Sequence, residues 1–588
     1  MRKTKIISTL GPKTRDVESI RRIIGAGADA IRINFSHDNH EIHGETVKRV
    51  KQVREEMGKP IPLILDTKGP EIRTGVMADD KDVKLNIGDT FTLTTEDIEG
   101  NEERVSVTYK NLPYDLKRGS RILIDDGLIE LKVKNLTNTD VECTVENGGI
   151  LGSRKGINIP DVFVNLPALT DKDLSDIKFG AEVGFDYIAA SFIRCANDVV
   201  KIRQVLEANG GGDIQIIAKI ENRDGVNNID EILQVADAIM VARGDLGVEI
   251  PAEEVPIVQK ELIKKANELG KPVVTATQML DSMIRNPRPT RAEASDVANA
   301  IFDGTSAIML SGETAKGDYP LEAISMMDRI AITAENASTL YNLPMSFGIG
   351  KLSMTHAISH ATCQTATELE ASAIVTITKS GHTARAVSKF KPACPIVACT
   401  MDERVQRQLN LVWGCTPFLI SINEESTDEA FEAAIEKAEE LGFAKQGDVV
   451  VVTAGVPVGV AGTTNILKVQ YVGNVLARGI GYGKKSVTGK ASVIKVLEEA
   501  DKYFNKGDIL ITAKTDNTFL PYMKKASAII VEDCSHEENN HATIVGRTLD
   551  IPVIIGAKNI VEAVRHSITI TVDSEKGLVY NGAITENK

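Results

Sequence analysis

Eight short apolar runs, each followed by polar residues, constrain the fold of this chain more than any other feature. The runs are rich in β-branched and small apolar residues, and they cover residues 6–10, 30–35, 62–65, 187–190, 215–219, 238–242, 272–276 and 307–310. Amphipathic stretches separate most of them, and in residues 255–266 the apolar positions recur at helical spacing. Eight strand–helix units are what a (β/α)₈ barrel requires, and such a barrel has its active site at the carboxyl ends of the strands.

A doubly wound open sheet is the alternative, because it also consists of buried strands and crossover helices. The count of eight runs and the polar residues at every strand end favour the barrel. We therefore predict an α/β protein whose TIM barrel comprises residues 1–69 and 171–345.

The pattern between the two barrel segments is different. Residues 70–170 consist of short alternating strands, and turn signals such as Asp126-Gly127 punctuate them. This predicts a small antiparallel β domain inserted after the third barrel strand. A domain hinged at the rim of a barrel is well placed to close over the site and exclude water, so we interpret it as a lid.

A chain of 588 residues is too long for one core, and two more α/β segments follow the barrel. We predict a second α/β domain over residues 346–473 and a further α/β domain over residues 490–588. Residues 474–489 contain several glycines and lysines, a composition typical of a linker.

The strand ends near residues 219 and 245 suggest the chemistry. Side chains alternate along a strand, so Lys219 and Glu221 are expected to project the same way. With Asp245 on the next unit, they suit an anionic substrate bound through Mg²⁺, which is usually held by one or two carboxylates and by substrate oxygens. The lysine would neutralise charge on a transferring phosphoryl group. A salt bridge at the barrel rim is the plainer alternative.

The net charge of −14 makes nucleic acid an unfavourable partner. No apolar run approaches the 18 or so residues that span a bilayer, so no membrane association is expected. The basic residues near the N-terminus are not followed by the apolar region of a signal peptide, and a cytoplasmic location is therefore expected.

Several linked motifs occur in order along the chain: IRINFSH (31–37), DTKGPEIR (66–73), IIAKIEN (216–222), ARGDLG (242–247), ATQML (276–280), PRPTRAE (287–293) and MLSGET (309–314). Together they resemble the pyruvate kinase family, and the resemblance extends from residue 1 to about residue 473. It implies a barrel with a lid and a regulatory domain, the conversion of phosphoenolpyruvate and ADP to pyruvate and ATP, Mg²⁺ (or Mn²⁺) and K⁺ as cofactors, and a homotetramer.

The resemblance assigns roles to residues of the barrel. Glu221 and Asp245 would bind the divalent ion, and Lys219, assisted by Arg32, would stabilise the phosphoryl group in transit. The backbone N–H groups of Gly244 and Asp245 would hold the substrate carboxylate at a helix start. Thr277 would belong to the relay that protonates the enolate, with Ser311 and Glu313 as candidate further members.

The resemblance also implies ion and nucleotide sites. His37, Arg73 and Lys155, with Asn34 nearby, would approach the nucleotide phosphates. The residues expected to bind K⁺ through oxygen atoms are Asn34, Ser36, Asp66 and Thr67. In the family, K⁺ dependence accompanies a glutamate at the position of Glu71, so activity is expected to require K⁺. Alternatively, the K⁺ set merely satisfies backbone groups at the strand ends.

A polar loop beyond the barrel follows a strand and precedes the helical stretch 384–390. In the family this loop holds a phosphorylated effector, and its backbone N–H groups and hydroxyls form a plausible phosphate cradle. A plain strand–helix turn is the alternative. The loop residues are Thr378, Lys379, Ser380, Gly381, His382 and Thr383.

The C-terminal segment resembles the mobile phosphohistidine domain of enzymes that use phosphoenolpyruvate. His541 stands at the position of the phosphorylated histidine, but Glu537 and Glu538 lie where active members have a glycine-rich turn. Carboxylates there would repel a phosphoryl group. A structural or regulatory role is therefore favoured over a phosphoryl carrier.

Two other functions are compatible with parts of the pattern. One is a Mg²⁺-dependent carbon–carbon lyase acting on phosphoenolpyruvate or pyruvate, and the other is a metabolite sensor without catalytic activity. The basic residues of the lid argue against the lyase, and the complete set of charged residues in the barrel argues against the sensor.

Overall fold

Eight parallel strands close into a barrel in the computed structural model, which describes residues 1–162, 164–337, 353–421, 427–456, 464–535 and 537–583. The predicted barrel is confirmed. The chain divides into two compact units, the first comprising residues 1–363, 376–421 and 454–465, and the second residues 364–375, 422–453 and 466–588. These units are coarser than the domains that the sequence predicts.

The first half of the barrel alternates strand and helix. Its elements are β1 (Lys5–Leu10), α1 (Val17–Gly25), β2 (Ala30–Asn34), α2 (His40–Met57) and β3 (Leu63–Asp66). Polar side chains cap the helices, since Asp16 accepts a hydrogen bond from the backbone of Ser19 at the start of α1, and Asn39 accepts one from Ile42 at the start of α2. The chain then leaves the barrel at its carboxyl rim.

The inserted segment is a β domain with its own apolar core. Its elements are β4 (Ile72–Arg73), β5 (Val83–Leu85), β6 (Thr90–Thr94), β7 (Arg104–Ser106), α3 (Leu112–Asp115), β8 (Arg121–Ile124), β9 (Ile129–Leu136), β10 (Asp140–Asn147), β11 (Gly149–Leu151) and β12 (Gly156–Asn158). Seven strands form one sheet in the order β4-β12-β8-β9-β10-β6-β7, and β5 pairs with β11. The pairing is antiparallel except between β6 and β7, which run parallel.

The barrel resumes with a capping box in which Thr170 and Asp173 satisfy each other's backbone N–H groups. The remaining elements are α4 (Asp171–Val183), β13 (Tyr187–Ala190), α5 (Ala196–Ala208), β14 (Gln215–Ile220), α6 (Arg223–Asn227), α7 (Ile229–Val235), β15 (Ala238–Ala242), α8 (Arg243–Glu249), α9 (Val255–Glu268), β16 (Val273–Ala276), α10 (Arg291–Phe302), β17 (Ala307–Leu310), α11 (Gly312–Ala315) and α12 (Pro320–Glu335).

Alternation along β14 decides which side chains enter the barrel. Ile216, Ala218 and Ile220 belong to the core between strands and helices, whereas Ile217 belongs to the separate cluster inside the barrel. Lys219 is two residues beyond Ile217 and therefore shares its inward face. Lys219 and Glu221 thus reach the interior at the carboxyl end of the strand.

The segment after the barrel continues the α/β pattern with α13 (Met354–Glu368), β18 (Ala373–Ile377), α14 (His382–Ser388), β19 (Ile396–Thr400), α15 (Glu403–Leu409), β20 (Cys415–Leu419), α16 (Thr427–Glu440) and β21 (Val449–Ala454). Within the first unit, β19 and β20 pair in parallel. Leu411 joins the cluster inside the barrel, and the Tyr187 hydroxyl donates a hydrogen bond to the Gln408 carbonyl at 2.7 Å. The α15 segment is therefore anchored at the amino end of the barrel strands.

The second unit contains an eight-stranded sheet in the order β23-β30-β29-β25-β26-β27-β28-β24, with apolar clusters on it. The elements from residue 466 onward are β22 (Ile466–Tyr471), β23 (Val475–Arg478), β24 (Ile480–Tyr482), β25 (Ser486–Val493), α17 (Ala500–Tyr503), β26 (Ile509–Thr512), α18 (Leu520–Met523), β27 (Ala528–Val531), α19 (His541–Leu549), β28 (Val553–Ile555), α20 (Ile560–Ala563), β29 (Thr569–Asp573) and β30 (Leu578–Asn581).

The linker predicted over residues 474–489 is wrong, because β23, β24 and the start of β25 lie there and join this sheet. The glycines of the stretch serve close packing instead of flexibility. A Cβ on Gly481 would lie 2.0 Å from the carbonyl oxygen of Ser574, and a Cβ on Gly479 would lie 2.2 Å from that of Ile555. Within the described residues, no helix is long and apolar enough to cross a bilayer.

Candidate active site

Lys219 is the centre of a buried polar cluster at the carboxyl end of β14. Its ammonium lies 2.8 Å from Glu221 Oε1, 2.8 Å from Ser191 Oγ and 3.1 Å from Asp66 Oδ1. Burial alone would lower the pKa of Lys219, but the Asp66 and Glu221 carboxylates raise it above its ordinary value. The side chain is therefore a permanent positive charge at neutral pH, suited to stabilising an anion and unsuited to acting as a base.

Glu221 and Asp245 form the acidic side of the cluster. Glu221 Oε2 accepts a hydrogen bond from the backbone N–H of Phe192 at 2.6 Å, and Asp245 lies in the first turn of α8. Burial raises the pKa of Glu221 above its ordinary value; Lys219 opposes this shift and the Asp245 carboxylate adds to it. Two neighbouring carboxylates repel each other, so a cation bound by both would stabilise the site. No group of three or more metal-ligating side chains occurs in the described part of the chain.

Asp66 bridges two cations of the site, Arg32 and Lys219. Its Oδ2 lies 2.6 Å from Arg32 Nε, and its Oδ1 contacts Lys219. Burial would raise the pKa of Asp66, but Arg32 and Lys219 hold it below its ordinary value. Arg32 also donates a hydrogen bond to Thr9 Oγ1 at 3.0 Å. The carboxylate thus fixes both cations of the site, a role that the sequence analysis did not assign to it.

The other residues expected to bind K⁺ lie at neighbouring strand ends. Asn34 and Asp66 are register partners of β2 and β3. Asn34 Oδ1 accepts a hydrogen bond from the backbone of Ser36 at 3.0 Å, and Thr67 Oγ1 accepts one from the backbone of Ser191 at 3.1 Å. The set is therefore brought together at neighbouring strand ends, and in this structure the side-chain oxygens of Asn34 and Thr67 accept hydrogen bonds from backbone N–H groups.

Thr277 lies just beyond β16 and contacts the start of α8. Its hydroxyl oxygen accepts a hydrogen bond from the Gly244 N–H at 2.7 Å and donates one to the Ala276 carbonyl at 2.6 Å. The φ of Thr277 is +70°, which is strained for a β-branched residue. Arg243 supports this conformation, because its Nη2 donates a hydrogen bond to the Thr277 carbonyl at 2.8 Å and its Nη1 pairs with Asp296 at 2.7 Å.

Ser311 and Glu313, the other predicted members of the proton relay, form a hydrogen bond with each other. Glu313 is buried, and its two oxygens accept hydrogen bonds from the backbone N–H groups of Leu280, at 3.1 Å, and Ser311, at 2.8 Å. Burial raises the pKa of the Glu313 carboxyl above its ordinary value. Glu313 therefore ties together the loops that follow β16 and β17.

A cleft of about 660 Å³ lies between the lid and the barrel, and both contribute to its walls. Asp245 lines it on the barrel side, and Arg73 and Lys155 line it on the lid side. Arg73 pairs with Glu71 at 2.7 Å, and Lys155 pairs with Asp125 at 3.0 Å. The predicted nucleotide residues of the lid therefore line the same cleft as Asp245, and each of them is paired with a carboxylate. His37 is exposed in the loop after β2.

Three residues of the site were given no role from the sequence. Ser191 accepts the hydrogen bond from Lys219, and Phe192, at φ +56°, presents its N–H to Glu221. Asp126 of the lid lines the cleft, and burial, with Asp245 adding to it, raises the pKa of Asp126 above its ordinary value. The position of Ser191 just after a predicted strand was the available signal, whereas the Asp126-Gly127 pair indicated only a turn.

The loop predicted to bind an effector joins β18 to α14. Thr378 and Thr383 are buried, and Lys379 and Ser380 are exposed. Thr383 Oγ1 lies 2.9 Å from Thr464 Oγ1 within the same unit. Helix α14 begins at His382, two residues earlier than the stretch predicted from the sequence, and Gly381 precedes it at φ +80°.

His541 begins α19 in the second unit, where Asn540 caps the helix by accepting a hydrogen bond from the Ala542 backbone at 3.0 Å. The His541 ring nitrogens lie 3.1 Å from Thr515 Oγ1 and 3.3 Å from Asn517 Oδ1. Both ring nitrogens thus contact the loop that follows β26.

Comparisons with known proteins match this architecture. Residues 1–324 match the model of the pyruvate kinase barrel domain, residues 356–470 that of the pyruvate kinase alpha/beta domain, and residues 504–577 that of the mobile domain of PEP-utilising enzymes. The chain is 50% identical over 587 residues to a pyruvate kinase of Bacillus licheniformis, covering 99% of each chain. It is 49% identical over 585 residues to that of Geobacillus stearothermophilus, with the same coverage. A crystal structure of a pyruvate kinase from Cryptosporidium parvum is similar with a TM-score of 0.76 and 39% identity, covering 80% of this chain and 96% of that one.

Proposed function

The chain belongs to the pyruvate kinase family, and we propose that it transfers the phosphoryl group of phosphoenolpyruvate to ADP, giving ATP and pyruvate, with Mg²⁺ and K⁺ as cofactors. The observation that carries the proposal is the buried contact of Lys219 with Glu221 and Asp66 at the barrel mouth. A fixed cation beside an acidic pair meets the needs of phosphoryl transfer, which depends on positioning and on neutralising oxygen charges.

Lys219 is the group that stabilises the phosphoryl group in transit. Its ammonium is held by three partners and needs no reorganisation when charge moves from the enol oxygen to the nucleotide. Arg32 assists on the outer phosphoryl oxygens, since Asp66 fixes it next to Lys219. The strength of both contacts depends on the water-poor surroundings of the cluster.

Glu221 and Asp245 are the residues that would hold Mg²⁺. Burial, with the Asp245 carboxylate adding to it, raises the pKa of Glu221, and a divalent cation bound by both carboxylates would offset this cost. When bound, the ion would neutralise negative charge on the phosphoryl oxygens. Asn34, Ser36, Asp66 and Thr67 would hold K⁺ at the ends of β2 and β3, where oxygen atoms from adjacent strands converge.

The contact between Gly244 and Thr277 would take part both in binding the substrate carboxylate and in proton transfer. The Gly244 N–H is occupied by Thr277 Oγ1, so a carboxylate that binds the backbone N–H groups of Gly244 and Asp245 would displace the hydroxyl. That exchange would release Thr277 Oγ1 from Gly244, so that the side chain could rotate and transfer the hydrogen bond that it now donates to the Ala276 carbonyl toward the enolate face. Ser311 and Glu313 would act through the loops they join, since the Glu313 oxygens are engaged by backbone N–H groups.

The cleft between lid and barrel supports a nucleotide as the phosphoryl acceptor. Arg73 and Lys155 line the same cleft as Asp245. Each forms an ion pair with a carboxylate, and a nucleotide phosphate would take the place of that carboxylate. This arrangement favours a kinase over a carbon–carbon lyase, for which a basic lid has no role. His37 and Asn34 would approach the same nucleotide from the end of β2.

Regulation and assembly are further parts of the proposal. The loop from Thr378 to Thr383 would bind a phosphorylated effector, and the active assembly would be a homotetramer, as the resemblance implies. His541 would have a structural or regulatory role, because Thr515 and Asn517 already contact its ring.

A coupled assay of pyruvate formation tests the function. Pyruvate should form from phosphoenolpyruvate only when ADP is present, and ATP should form in equal amount. Pyruvate formation that does not depend on ADP would indicate hydrolysis of phosphoenolpyruvate. A carbon–carbon lyase would form no pyruvate from phosphoenolpyruvate and ADP. Either result would contradict the proposal.

A further inference from the structure

The β13–α5 loop, residues 191–195, contacts both the candidate active site and the lid, all within the first unit. On the side of the site, Ser191 accepts the hydrogen bond from the Lys219 ammonium at 2.8 Å, and the Phe192 N–H donates one to Glu221 at 2.6 Å. The same loop also carries an arginine that forms hydrogen bonds with the segment through which the chain returns from the lid. One short loop thus connects the charges of the site to the inserted domain.

This arginine, Arg194, holds the return segment at two main-chain carbonyls. Its Nη1 donates a hydrogen bond to the Val164 carbonyl at 3.1 Å, and its Nη2 donates one to the Leu166 carbonyl at 2.9 Å. Its Nε lies 3.4 Å from Oδ2 of Asp198, which is buried. All three guanidinium nitrogens are therefore engaged by protein groups, which fits a positioning role better than a contact with substrate.

The two carbonyls lie on the lid side of the hinge, the stretch in which the chain passes from the lid to the barrel. Val164 and Leu166 pack against the apolar cluster of the lid, whereas Leu169 packs against the core between the barrel strands and helices. The passage from one domain to the other therefore lies between Leu166 and Leu169. When the lid moves, the carbonyls that Arg194 holds should move with it, because their residues are packed into the lid.

The stretch through which the chain leaves the barrel packs against the same loop. Gly69, at φ +74°, is so close that a Cβ at this position would lie 2.7 Å from Phe192 Cδ2 and 2.9 Å from Ser191 Cβ. The Gly69 N–H donates a hydrogen bond to Asp173 Oδ1 at 3.0 Å, and Asp173 Oδ2 accepts one from the Thr170 N–H at 2.9 Å. One buried carboxylate thus joins the outgoing and the returning stretch, and the outgoing one lies directly on the loop.

We propose that Arg194 is a positioning residue that couples the lid to Lys219 and Glu221. The proposal rests on the proposed function, since it takes the lid to close over a nucleotide in the cleft. Closure would shift the carbonyls bound to Arg194 and so move the β13–α5 loop, which contacts both of these charged residues. The site would then be complete only when the lid is closed, which limits transfer of the phosphoryl group to water.

Amide hydrogen exchange of the full-length wild type, with and without ADP, tests the coupling. ADP should slow exchange in the lid peptides that contain Arg73 and Lys155, which line the cleft, and also in peptides that cover residues 191–195. In Arg194→Met the lid peptides should keep this response and residues 191–195 should lose it. Slowing in the wild-type lid alone would overturn the coupling and leave the nucleotide site standing. No slowing in the wild-type lid would contradict the nucleotide site, and the coupling with it.

Steady-state kinetics separate positioning from binding. Arg194→Met should lower kcat by about tenfold to a hundredfold, because small displacements of catalytic groups are costly, while the KM for ADP stays close to that of the wild type. Arg203→Met is the matched control. Arg203 lies on α5 and also donates hydrogen bonds to two main-chain carbonyls, those of Gly212 and Ile214, but at the amino end of the barrel strands. This variant should keep the wild-type kcat.

A graded variant separates the coupling from a purely structural role. Arg194→Lys keeps the positive charge near Asp198 but offers one ammonium where the guanidinium reaches two carbonyls, so its kcat should lie between those of the wild type and Arg194→Met. Arg194→Met and Arg203→Met should both unfold at a lower temperature, because each loses two hydrogen bonds to carbonyls. The proposal is overturned if both variants lose kcat in proportion to their stability, or if Arg194→Met raises the KM for ADP and keeps its kcat.

Discussion

The ammonium of Lys219 lies 2.8 Å from the hydroxyl of Ser191, which in turn donates a hydrogen bond to the Thr67 carbonyl at 2.7 Å. Ser191 therefore orients the side chain that we propose to stabilise the transferred phosphoryl group, although Ser191 itself carries no charge. It connects the end of β13 to the ends of β14 and β3, three neighbouring strands of the barrel.

Ser191→Ala is expected to lower kcat about tenfold, because it removes one of the hydrogen bonds that fix the Lys219 ammonium. The net contribution of such a hydrogen bond is about 1–1.5 kcal/mol. The KM for phosphoenolpyruvate should change little, since Asp66 and Glu221 still hold the charge at the site. Steady-state kinetics separate the two parameters. A variant with raised KM and unchanged kcat would show that Ser191 acts in binding alone.

Glu313→Gln tests whether Glu313 is a structural anchor. The amide has one acceptor oxygen where the carboxylate has two, so one of the backbone N–H groups of Leu280 and Ser311 loses its partner. The expected loss is about 1–3 kcal/mol in the free energy of unfolding, measured by denaturant titration. Unchanged stability with a large loss of kcat would instead favour direct participation in the proton relay.

Lys391 should make stability depend on pH. Burial lowers its pKa to about 7, and its ammonium lies 4.5 Å from the ring centre of Trp413. The unfolded chain holds this proton up to an ordinary pKa of 10.5. Between about pH 7 and that value the unfolded state binds more protons, so this contribution to the free energy of unfolding rises with pH.

The difference between the wild type and Lys391→Met measures this contribution directly, and it should shift in favour of the wild type as the pH rises. Trp413 is the single tryptophan of the chain, so its fluorescence should titrate near pH 7 in the wild type and lose that transition in Lys391→Met. Parallel pH profiles for the two proteins would contradict the prediction.

How far the sequence predicts this molecule depends on which interactions are local. Alternation along residues 215–221 was sufficient to predict that Lys219 and Glu221 face the same way, because the period of a strand is a local property. The role of Asp66 was not predictable in this way. It depends on Arg32 and Lys219, which lie on β2 and β14 and meet only when the barrel closes.

Composition was misleading where glycine serves packing. The glycines of residues 474–489 are typical of a linker, yet Gly481 packs against the backbone of Ser574, which lies far away in the sequence. The strain at Thr277 was equally hidden, since threonine is ordinary in strands and its positive φ follows from contacts with Gly244 and Arg243.

Gly481→Ala is accordingly expected to destabilise the second unit. The new methyl group would lie 2.0 Å from a backbone oxygen, which cannot move as a flexible side chain can, and overpacking of this kind typically costs about 1–3 kcal/mol. Lys484→Ala, an exposed position in the same stretch, is the control and should be neutral. Equal thermal unfolding of both variants would restore the linker interpretation.

If the positive charge of Lys219 stabilises the phosphoryl group in transit, Lys219→Met should lose turnover, and the coupled pyruvate assay measures its kcat. Lys264→Met, at an exposed position of α9, serves as the control. Loss of a preorganised charge should lower kcat by roughly 10²–10³-fold or more, while the control keeps wild-type turnover. A kcat for Lys219→Met within a fewfold of that of the control would show that the Lys219 charge does not stabilise the transferred phosphoryl group.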